Sequence, residues 1–133
     1  LFSIAISRIR AIQENKHRAV LVPIPASTRE KNRIRYEEFC RKLSADIGVA
    51  DGYGAITLTA DRPQLKGTHG QDKTANLQFH PEYIKDKCVL LLDDLLTTGE
   101  GFIQTRRKLI EHGAKFVIGL FLAKTIAFED EQE

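Results

Sequence analysis

The chain has 133 residues, 42% of them hydrophobic and 29% charged, a composition that suits one α/β-sized domain with a proper core. The net charge is only +2, which excludes a general field able to hold nucleic acid or an anionic membrane. No apolar run approaches the roughly 20 residues of a membrane span, and two distant cysteines without a CxxC pair indicate buried thiols in a cytoplasmic protein rather than zinc or redox chemistry.

Hydrophobic periodicity predicts the elements of the first half. Residues 2–12 carry apolar side chains at helical spacing and predict a first amphipathic helix. The continuous apolar run of residues 19–24 is typical of a strand buried on both faces. A second helix is expected over residues 36–47, with Gly48 as a left-handed C-terminal cap. Residues 55–59 predict another strand.

The second half begins with a long polar stretch. Residues 61–80 lose all periodicity and predict a long loop, which in a compact domain is usually functional or disordered. Residues 89–92 predict a strand, a helix closed by Gly113 follows it, and residues 116–122 predict a final strand. The inner face of that helix is predicted to be formed by Phe102, Ile103, the stem of Arg106, Leu109 and Ile110.

Strands and helices alternate along the chain, which favours a parallel sheet with helices on both faces. We interpret residues 1–133 as one domain with an acidic end, residues 128–133, that frays. The chain starts at Leu1 and contains no methionine, so we expect the full protein to extend further toward its N-terminus.

The chemistry concentrates in residues 89–101, where a buried strand ends in two carboxylates and a hydroxyl-rich turn opens a helix. In open parallel sheets, ligands bind beyond the carboxyl ends of the strands, where Asp93 and Asp94 emerge. Ionised carboxylates only accept hydrogen bonds, so this pair can engage neighbouring hydroxyls of a ribose. Residues 97–101 can direct backbone N–H groups and two hydroxyls at a phosphate.

A simpler explanation of the same turn is helix capping. Thr97 and Glu100 have the spacing of a capping box, which could merely start the helix. Capping does not explain two acids directly after four apolar strand residues, since burying them costs desolvation unless something partners them. We therefore favour a ligand site.

This segment resembles the phosphoribosyl pyrophosphate (PRPP) motif of type I phosphoribosyltransferases, in which apolar residues precede two acids and a Thr-Thr-Gly phosphate loop. The resemblance implies the type I phosphoribosyltransferase fold, a mainly parallel twisted α/β sheet flanked by helices, with a mobile loop. It also implies that Asp93 and Asp94 hold the ribose 2- and 3-hydroxyls. The 5-phosphate would be wrapped by Thr97, Thr98, Gly99, Glu100 and Gly101. At Gly101 the family often has Thr or Ser, so here a hydroxyl is lost.

The order of segments is most similar to the ComF-like competence-associated phosphoribosyltransferases. Residues 33–37 stand where that family commonly has Arg-Gly-Phe-Asn-Gln, and only the arginine agrees. Residues 62–64 and 76–79 look like the two ends of the family's mobile loop, with Lys73 where an arginine is usual.

The turn after the first strand would, by similarity, be the pyrophosphate loop. Its residues are Ala26, Ser27, Thr28 and Arg29. Small side chains let backbone donors approach an anion, and Arg29 supplies charge. Ser27 and Glu30 also have capping-box spacing, and capping and ligand contact are equally good interpretations. The turn continues into a basic cluster formed by Arg29, Lys31, Arg33 and Arg35. For Lys31 and Arg35, a solvated helix face is the preferred interpretation.

Residues 66–73 could close over bound substrate, because glycine hinges and cationic side chains would exclude water and offset the charge of leaving pyrophosphate. A disordered surface loop explains this segment nearly as well. We interpret His69 as an exposed loop histidine rather than a proton donor.

As an enzyme of this family, the protein would displace pyrophosphate from PRPP with a nitrogen nucleophile on an unidentified acceptor. The resemblance implies Asp93, Asp94 and Lys73 as catalytic residues, and Mg²⁺ held by the two aspartates directly or through water. The alternative is a non-catalytic PRPP- or nucleotide-binding module acting in competence, DNA uptake or regulation. Partners would then include a second copy in a homodimer, single-stranded DNA or competence proteins. A third, weaker interpretation is a protein-interaction domain.

Overall fold

The computed structural model describes residues 18–61, 72–94 and 99–122, with the backbone alone at positions 94 and 122. The helix predicted over residues 2–12 and the acidic residues 128–133 lie outside the described part, as do residues 62–71 of the predicted long loop.

The core of the fold is a four-stranded sheet with the order β2-β1-β5-β6, in which all neighbouring strands are parallel. A separate antiparallel ribbon is formed by β3 and β4. The strands are β1 Ala19–Pro23, β2 Ala50–Asp51, β3 Ile56–Leu58, β4 Leu77–Phe79, β5 Cys88–Asp94 and β6 Phe116–Leu122.

In the described ranges, three longer helical segments and the 3-10 turn Tyr53–Ala55 accompany the sheet. The helix α1 joins three stretches, Arg29–Asn32, a π-helical turn Arg33–Glu37, and Glu38–Ile47. The others are the short α2, Pro81–Ile84, and α3, Glu100–Glu111. The predicted α/β fold is confirmed, and it is consistent with that of type I phosphoribosyltransferases.

Each face of the sheet is covered, which is why β1 and β5 are apolar at successive positions rather than alternating ones. Leu21 and Leu90 pack with residues of α1 on one face. Val22 and Leu91 point the other way and pack with Leu109 of α3 and with the ribbon. Two separate clusters of buried side chains therefore hold the central strands.

The register of the sheet places the segments predicted to form the site at one edge. Pro23, the last residue of β1, pairs with Leu92, and β5 continues through Asp93 and Asp94 beside β6. The N–H of Ile24 donates to the carbonyl of Leu92 at 2.8 Å, so the chain after β1 stays beside β5. The carboxyl ends of these strands thus meet, as a ligand site beyond them requires.

The inward side of α1 follows a spacing of mostly four residues. Asn32, Tyr36, Cys40, Leu43 and Ile47 are buried. Four residues exceed one α-helical turn of 3.6, and the wider π turn between Asn32 and Cys40 keeps these side chains on one side. The predicted cap is confirmed, because Gly48 has φ of 76° and its N–H donates to Ser44 at 2.9 Å.

Two predictions about the strands were incomplete. The strand predicted over residues 55–59 is β3, but it belongs to the ribbon and not to the parallel sheet. Residues 77–79, predicted as loop, form its partner β4. The two-residue β2 has exposed side chains and no apolar pattern, so periodicity could not reveal it.

The predicted inner face of α3 was partly wrong. Phe102 and Leu109 face the core, but Ile103 and Ile110 are 56% and 43% exposed and Arg106 is exposed too. Thr105 takes the inward position between them and is buried. Hydrophobicity alone misassigned the face because α3 buries a threonine and leaves two isoleucines in solvent.

None of the helices in the described ranges combines the length and the apolar character needed to cross a bilayer.

Candidate functional site

A cavity of about 260 Å³ lies at the carboxyl edge of the sheet. Four parts of the chain surround it: the turn after β1, the π turn of α1, the segment before and at the start of β4, and the junction of β5 with α3. Its walls are formed by Ile24, Pro25, Ala26, Ser27, Arg35, Tyr36, Lys73, Leu77, Asp93, Gly101 and Thr105.

The turn after β1 is held in place by a buried side chain. Asn32 is 6% exposed, and its Oδ1 accepts a hydrogen bond of 3.0 Å from the N–H of Ala26. Ala26 is buried and Ser27 half-buried, and both line the cavity. Two residues of the predicted pyrophosphate loop therefore face the cavity on a fixed backbone.

The predicted capping box of Ser27 and Glu30 was wrong. The N-cap of α1 is Thr28, whose Oγ1 accepts the N–H of Lys31 at 3.1 Å. The helix starts at Arg29, so Glu30 is its second residue and not the third that a capping box needs. Ser27 therefore does not cap α1, and it lines the cavity.

The structure does not bring Arg29 to the cavity. Its Nε donates to the carbonyl of Leu58 at 3.2 Å and its Nη2 to that of Thr59 at 2.6 Å. These bonds direct the guanidinium toward the ribbon, where Arg29 lines a second cavity of about 220 Å³ with Tyr53. The ligand role assigned to Arg29 and Thr28 stays a prediction without support from their positions.

Of the two predicted acids, Asp93 is 4% exposed and lines the cavity. The backbone of Asp94 continues β5 beside β6, and its side chain lies outside the described part. Thr97 and Thr98 of the predicted phosphate loop also lie outside it. Asp93 stands where a parallel sheet presents ligand-binding groups.

The start of α3 forms the other described part of the predicted phosphate loop. Gly99 is the N-cap with φ of 87°, and its carbonyl accepts the N–H of Ile103 at 3.0 Å. Glu100 is thus the first helical residue and not the third, so the start of α3 does not match the alternative of a capping box of Thr97 with Glu100, in which Thr97 lies outside the described residues. Gly101 lines the cavity, and among the described residues a Cβ there would meet Lys73 Cδ, at 3.7 Å.

Lys73 reaches the cavity because two contacts fasten it to α3. Its N–H donates to Gln104 Oε1 at 2.7 Å, and its Nζ lies 3.8 Å from Glu100 Oε2. The two side chains of the ion pair are 30% and 34% exposed, so the pair itself adds only about 0–1 kcal/mol to stability. The preceding turn is fixed by Asp72, whose carboxylate accepts from the hydroxyl and N–H of Thr74, and these bonds lower the pKa of Asp72.

Sequence reasoning did not assign several residues of this region to the site. Arg35 was assigned to a solvated face; it is exposed as expected, and it also lines the cavity. Tyr36 and Thr105 are buried in the wall, and Asn32 supports the turn after β1. The spacing of Asn32, Tyr36 and Cys40 was a usable signal for Asn32, since it marks a polar residue on an apolar helix stripe.

The cysteines are buried and free, as expected. Burial, with a smaller contribution from the Asp51 carboxylate, raises the pKa of the Cys40 thiol to about 12. Burial also raises the pKa of Cys88, and Lys115 opposes that effect. Both thiols are therefore neutral at ordinary pH, and neither lines the candidate site.

No family model matches the sequence. The chain is similar to an orotate phosphoribosyltransferase of Pyrococcus abyssi, with 30% identity over 99 residues. The similarity covers 71% of this chain and 52% of the relative, so the chain spans about half the length of the curated relative that it matches. Together with the parallel sheet and the position of the cavity, this similarity supports a relationship to the type I phosphoribosyltransferase family.

Proposed function

We propose that the cavity at the carboxyl edge of the sheet binds PRPP, and that the protein transfers its phosphoribosyl group to a nitrogen nucleophile with release of pyrophosphate. One observation carries this proposal. Three segments far apart in sequence line one cavity: Ala26 and Ser27 after β1, Asp93 at the end of β5, and Gly101 in α3. They are parts of the predicted pyrophosphate loop, ribose-binding acids and phosphate loop.

The ribose 5-phosphate end would bind at the junction of β5 and α3. The Asp93 carboxylate accepts hydrogen bonds from ribose hydroxyls, and Asp94, next along the strand, would share this task. Thr97 and Thr98 would contact the 5-phosphate together with the N–H groups of residues 99–101. The N-terminus of the 12-residue α3 favours such an anion, since its first N–H groups have no partner within the helix.

The pyrophosphate end would bind on the β1 side of the cavity. The turn through Ala26 and Ser27 offers small side chains that let an anion approach and the hydroxyl of Ser27, and the bond from the Ala26 N–H to Asn32 fixes its geometry before the ligand arrives. Lys73 would balance negative charge as pyrophosphate leaves. In this scheme the residues act mainly by holding the two ends of PRPP apart and stabilising charge that develops between them.

Magnesium fits this site as an ion that accompanies pyrophosphate. Mg²⁺ prefers oxygen ligands and keeps several waters, and the carboxylate of Asp93 and the hydroxyl of Ser27 are oxygen donors in the same cavity. Asp93 and Asp94 would hold the ion directly or through water. The bound ion would supply charge neutralisation on the leaving pyrophosphate.

A second candidate function is that of a non-catalytic module, which binds PRPP but does not transfer its phosphoribosyl group. It is favoured by the ion pair of Lys73 with Glu100, which reduces the positive charge available for leaving pyrophosphate. The missing hydroxyl at Gly101 also favours this candidate, because it removes one hydrogen-bond donor to the 5-phosphate. The finer resemblance to ComF-like proteins, with single-stranded DNA, competence proteins or a second copy as partners, stays a prediction within this candidate.

Calorimetric titration with PRPP and Mg²⁺ tests the proposal. Asp93→Asn and Asp94→Asn should each weaken PRPP binding by about 10- to 100-fold, since each removes a charged acceptor of hydrogen bonds. Asp46→Asn, at an exposed position of α1, is the matched control and should leave the affinity unchanged.

Pyrophosphate release with a panel of nucleobases then separates the two candidates. Release that depends on Asp93 supports the transferase, whereas PRPP binding without release from any base supports the non-catalytic module. Absence of PRPP binding to the folded wild-type chain would sink both.

A further inference from the structure

We propose that Arg35 binds the pyrophosphate group in the cavity, as the cation that the turn after β1 does not itself supply. The inference rests on the proposed function, since it names a binding residue of the same site. Its starting point is the position of two arginines, Arg29 and Arg35, which lie in different turns of α1.

Arg29 is committed elsewhere. Two atoms of its guanidinium group donate to the carbonyls of Leu58 and Thr59, at 3.2 and 2.6 Å. The backbone N–H of Arg29 also donates to Asp61 Oδ1 at 3.0 Å. These three bonds join the start of α1 to the end of β3, so Arg29 serves the packing of the ribbon. Moving it to the cavity would leave those carbonyls without these donors.

Arg35 lies on the π turn of α1, where it is exposed to solvent and lines the cavity. The turn buries the neighbouring Tyr36, which is 2% exposed, and both residues line the cavity. The guanidinium carbon of Arg35 lies 5.8 Å from the centre of the Tyr36 ring, within the range of a cation–π contact. Wide turns of this kind occur frequently at functional sites.

The cavity wall carries two cations that an anion spanning it could contact, beside the Asp93 carboxylate assigned to the ribose end. Arg35 comes from α1 and Lys73 from the segment before β4, and both line the same cavity as the small turn residues Ala26 and Ser27. A guanidinium presents several N–H donors in a planar fork that matches phosphate oxygens bidentately. Lys73 has Glu100 within 3.8 Å, so its charge is partly balanced. Arg35 therefore supplies the guanidinium fork that the walls of this cavity offer to a diphosphate.

The test compares Arg35→Ala and Arg35→Lys with Arg33→Ala in calorimetric titrations. Arg33 is exposed on the same turn of α1 and is not part of the cavity wall, so its removal deletes the same charge without touching the site. The probes are inorganic pyrophosphate, ribose 5-phosphate and PRPP, each with Mg²⁺. Thermal unfolding of each variant checks that it is folded.

Arg35→Ala should weaken binding of pyrophosphate and of PRPP by about tenfold or more. Ribose 5-phosphate binding should change by less than about twofold, because that ligand lacks the group that Arg35 contacts. Arg35→Lys should recover part of the pyrophosphate affinity, since it keeps the charge and loses the fork. Arg33→Ala should bind all three probes like the wild type.

The inference is overturned if Arg35→Ala binds pyrophosphate like the wild type, if it loses ribose 5-phosphate affinity equally, or if the wild type does not bind pyrophosphate. Its failure and that of the proposed function are distinguishable. PRPP binding that depends on Asp93 but not on Arg35 leaves the function intact and removes Arg35 from the site. Pyrophosphate binding that depends on Arg35, without any PRPP binding, keeps the anion site and removes the function.

Discussion

The side chain of Asn32 and the backbone of Ala26 are joined by a buried hydrogen bond of 3.0 Å, in which Asn32 Oδ1 accepts. Through this bond the first turn of α1 sets the position of the turn that lines the candidate pyrophosphate end of the cavity. A helix residue that does not itself line the cavity thus determines the shape of the cavity wall.

Replacing Asn32 with alanine should therefore affect both stability and binding. The change leaves the N–H of Ala26 without its partner in a buried place, which should cost about 1–3 kcal/mol of unfolding free energy. Because the turn would also lose its fixed geometry, we expect weaker binding of inorganic pyrophosphate. Urea unfolding and calorimetric titration measure the two effects.

Asn76→Ala is the matched control for Asn32→Ala. The Nδ2 of Asn76 donates to the carbonyl of Ala60 in an exposed hydrogen bond of 2.9 Å, where water can replace it. This variant should lose less than about 1 kcal/mol and keep its pyrophosphate affinity. Equal losses for the two variants would show that Asn32 has no special role in the turn.

Gly101→Ser should leave the fold intact and should strengthen PRPP binding. Within the described part of the chain, a Cβ there meets Lys73 Cδ at 3.7 Å, which is ordinary contact, and the position lies in the first turn of α3 beside the cavity. The added hydroxyl can donate to the 5-phosphate, so we expect an affinity gain of about 3- to 10-fold, as for a modest hydrogen bond. Calorimetry with PRPP and Mg²⁺ measures it.

Gly101→Ala separates the effect of the added hydroxyl on PRPP affinity from the effect of a more stable helix backbone. Alanine should raise helix stability by about 0.5–1 kcal/mol, as glycine is a poor helix residue, without improving PRPP affinity. If alanine and serine improved binding equally, the gain would come from the helix and not from a contact with phosphate.

The close approach of β6 to α3 gives a test of packing beside the site. A Cβ at Gly119 would lie 2.7 Å from Cζ of Phe102, the residue after Gly101. Gly119→Ala should push this ring away and cost about 1–3 kcal/mol, and displacement of α3 should lower PRPP affinity. Chemical denaturation and titration give both quantities.

Shortening the ring partner should rescue that variant in part. Phe102→Leu removes the atoms that collide, so the double variant should be more stable than the sum of the two single changes predicts. Additive losses would mean that the strain at Gly119 comes from elsewhere, such as the ring of Phe121, 2.9 Å from the same Cβ position.

The parallel sheet and the position of Asp93 at its carboxyl edge could be predicted from the sequence, because both depend on local patterns. The apolar runs of β1 and β5 are buried on both faces of the sheet, and this burial is visible in consecutive apolar residues such as Val89 to Leu92. Asp93 follows directly and emerges at the carboxyl edge, where a topological rule puts ligands.

The residues that shape the cavity could not be predicted in the same way, because their roles depend on contacts between distant segments. Arg29 and Arg35 look alike in sequence, yet one bonds to the ribbon and the other lines the cavity. Thr28 and not Ser27 is the N-cap, because the helix starts one residue later than the capping-box spacing implies. Nothing local to Lys73 indicated its bond to Gln104, 31 positions away.

The buried thiol of Cys40 predicts how stability depends on alkaline pH. Burial raises the pKa of this thiol from 9.0 to about 12, so the folded state keeps its proton where the unfolded state has lost it. The stabilising effect is complete below pH 9 and is lost as pH rises toward about 12. In that window the unfolded chain binds fewer protons, and the free energy of unfolding falls by up to about 1.4 kcal/mol per pH unit for this group.

Cys40→Ala should remove that slope, although it lowers stability at every pH through the lost side chain. Urea unfolding at pH 8, 9.5 and 11 provides the comparison, and taking the difference from the wild type cancels the titration of lysines and tyrosines. Cys88→Ala should reduce the slope less, because Lys115 opposes the effect of burial on the pKa of Cys88. Parallel slopes for the wild type and Cys40→Ala would mean that the Cys40 thiol ionises as readily in the folded chain as in the unfolded one.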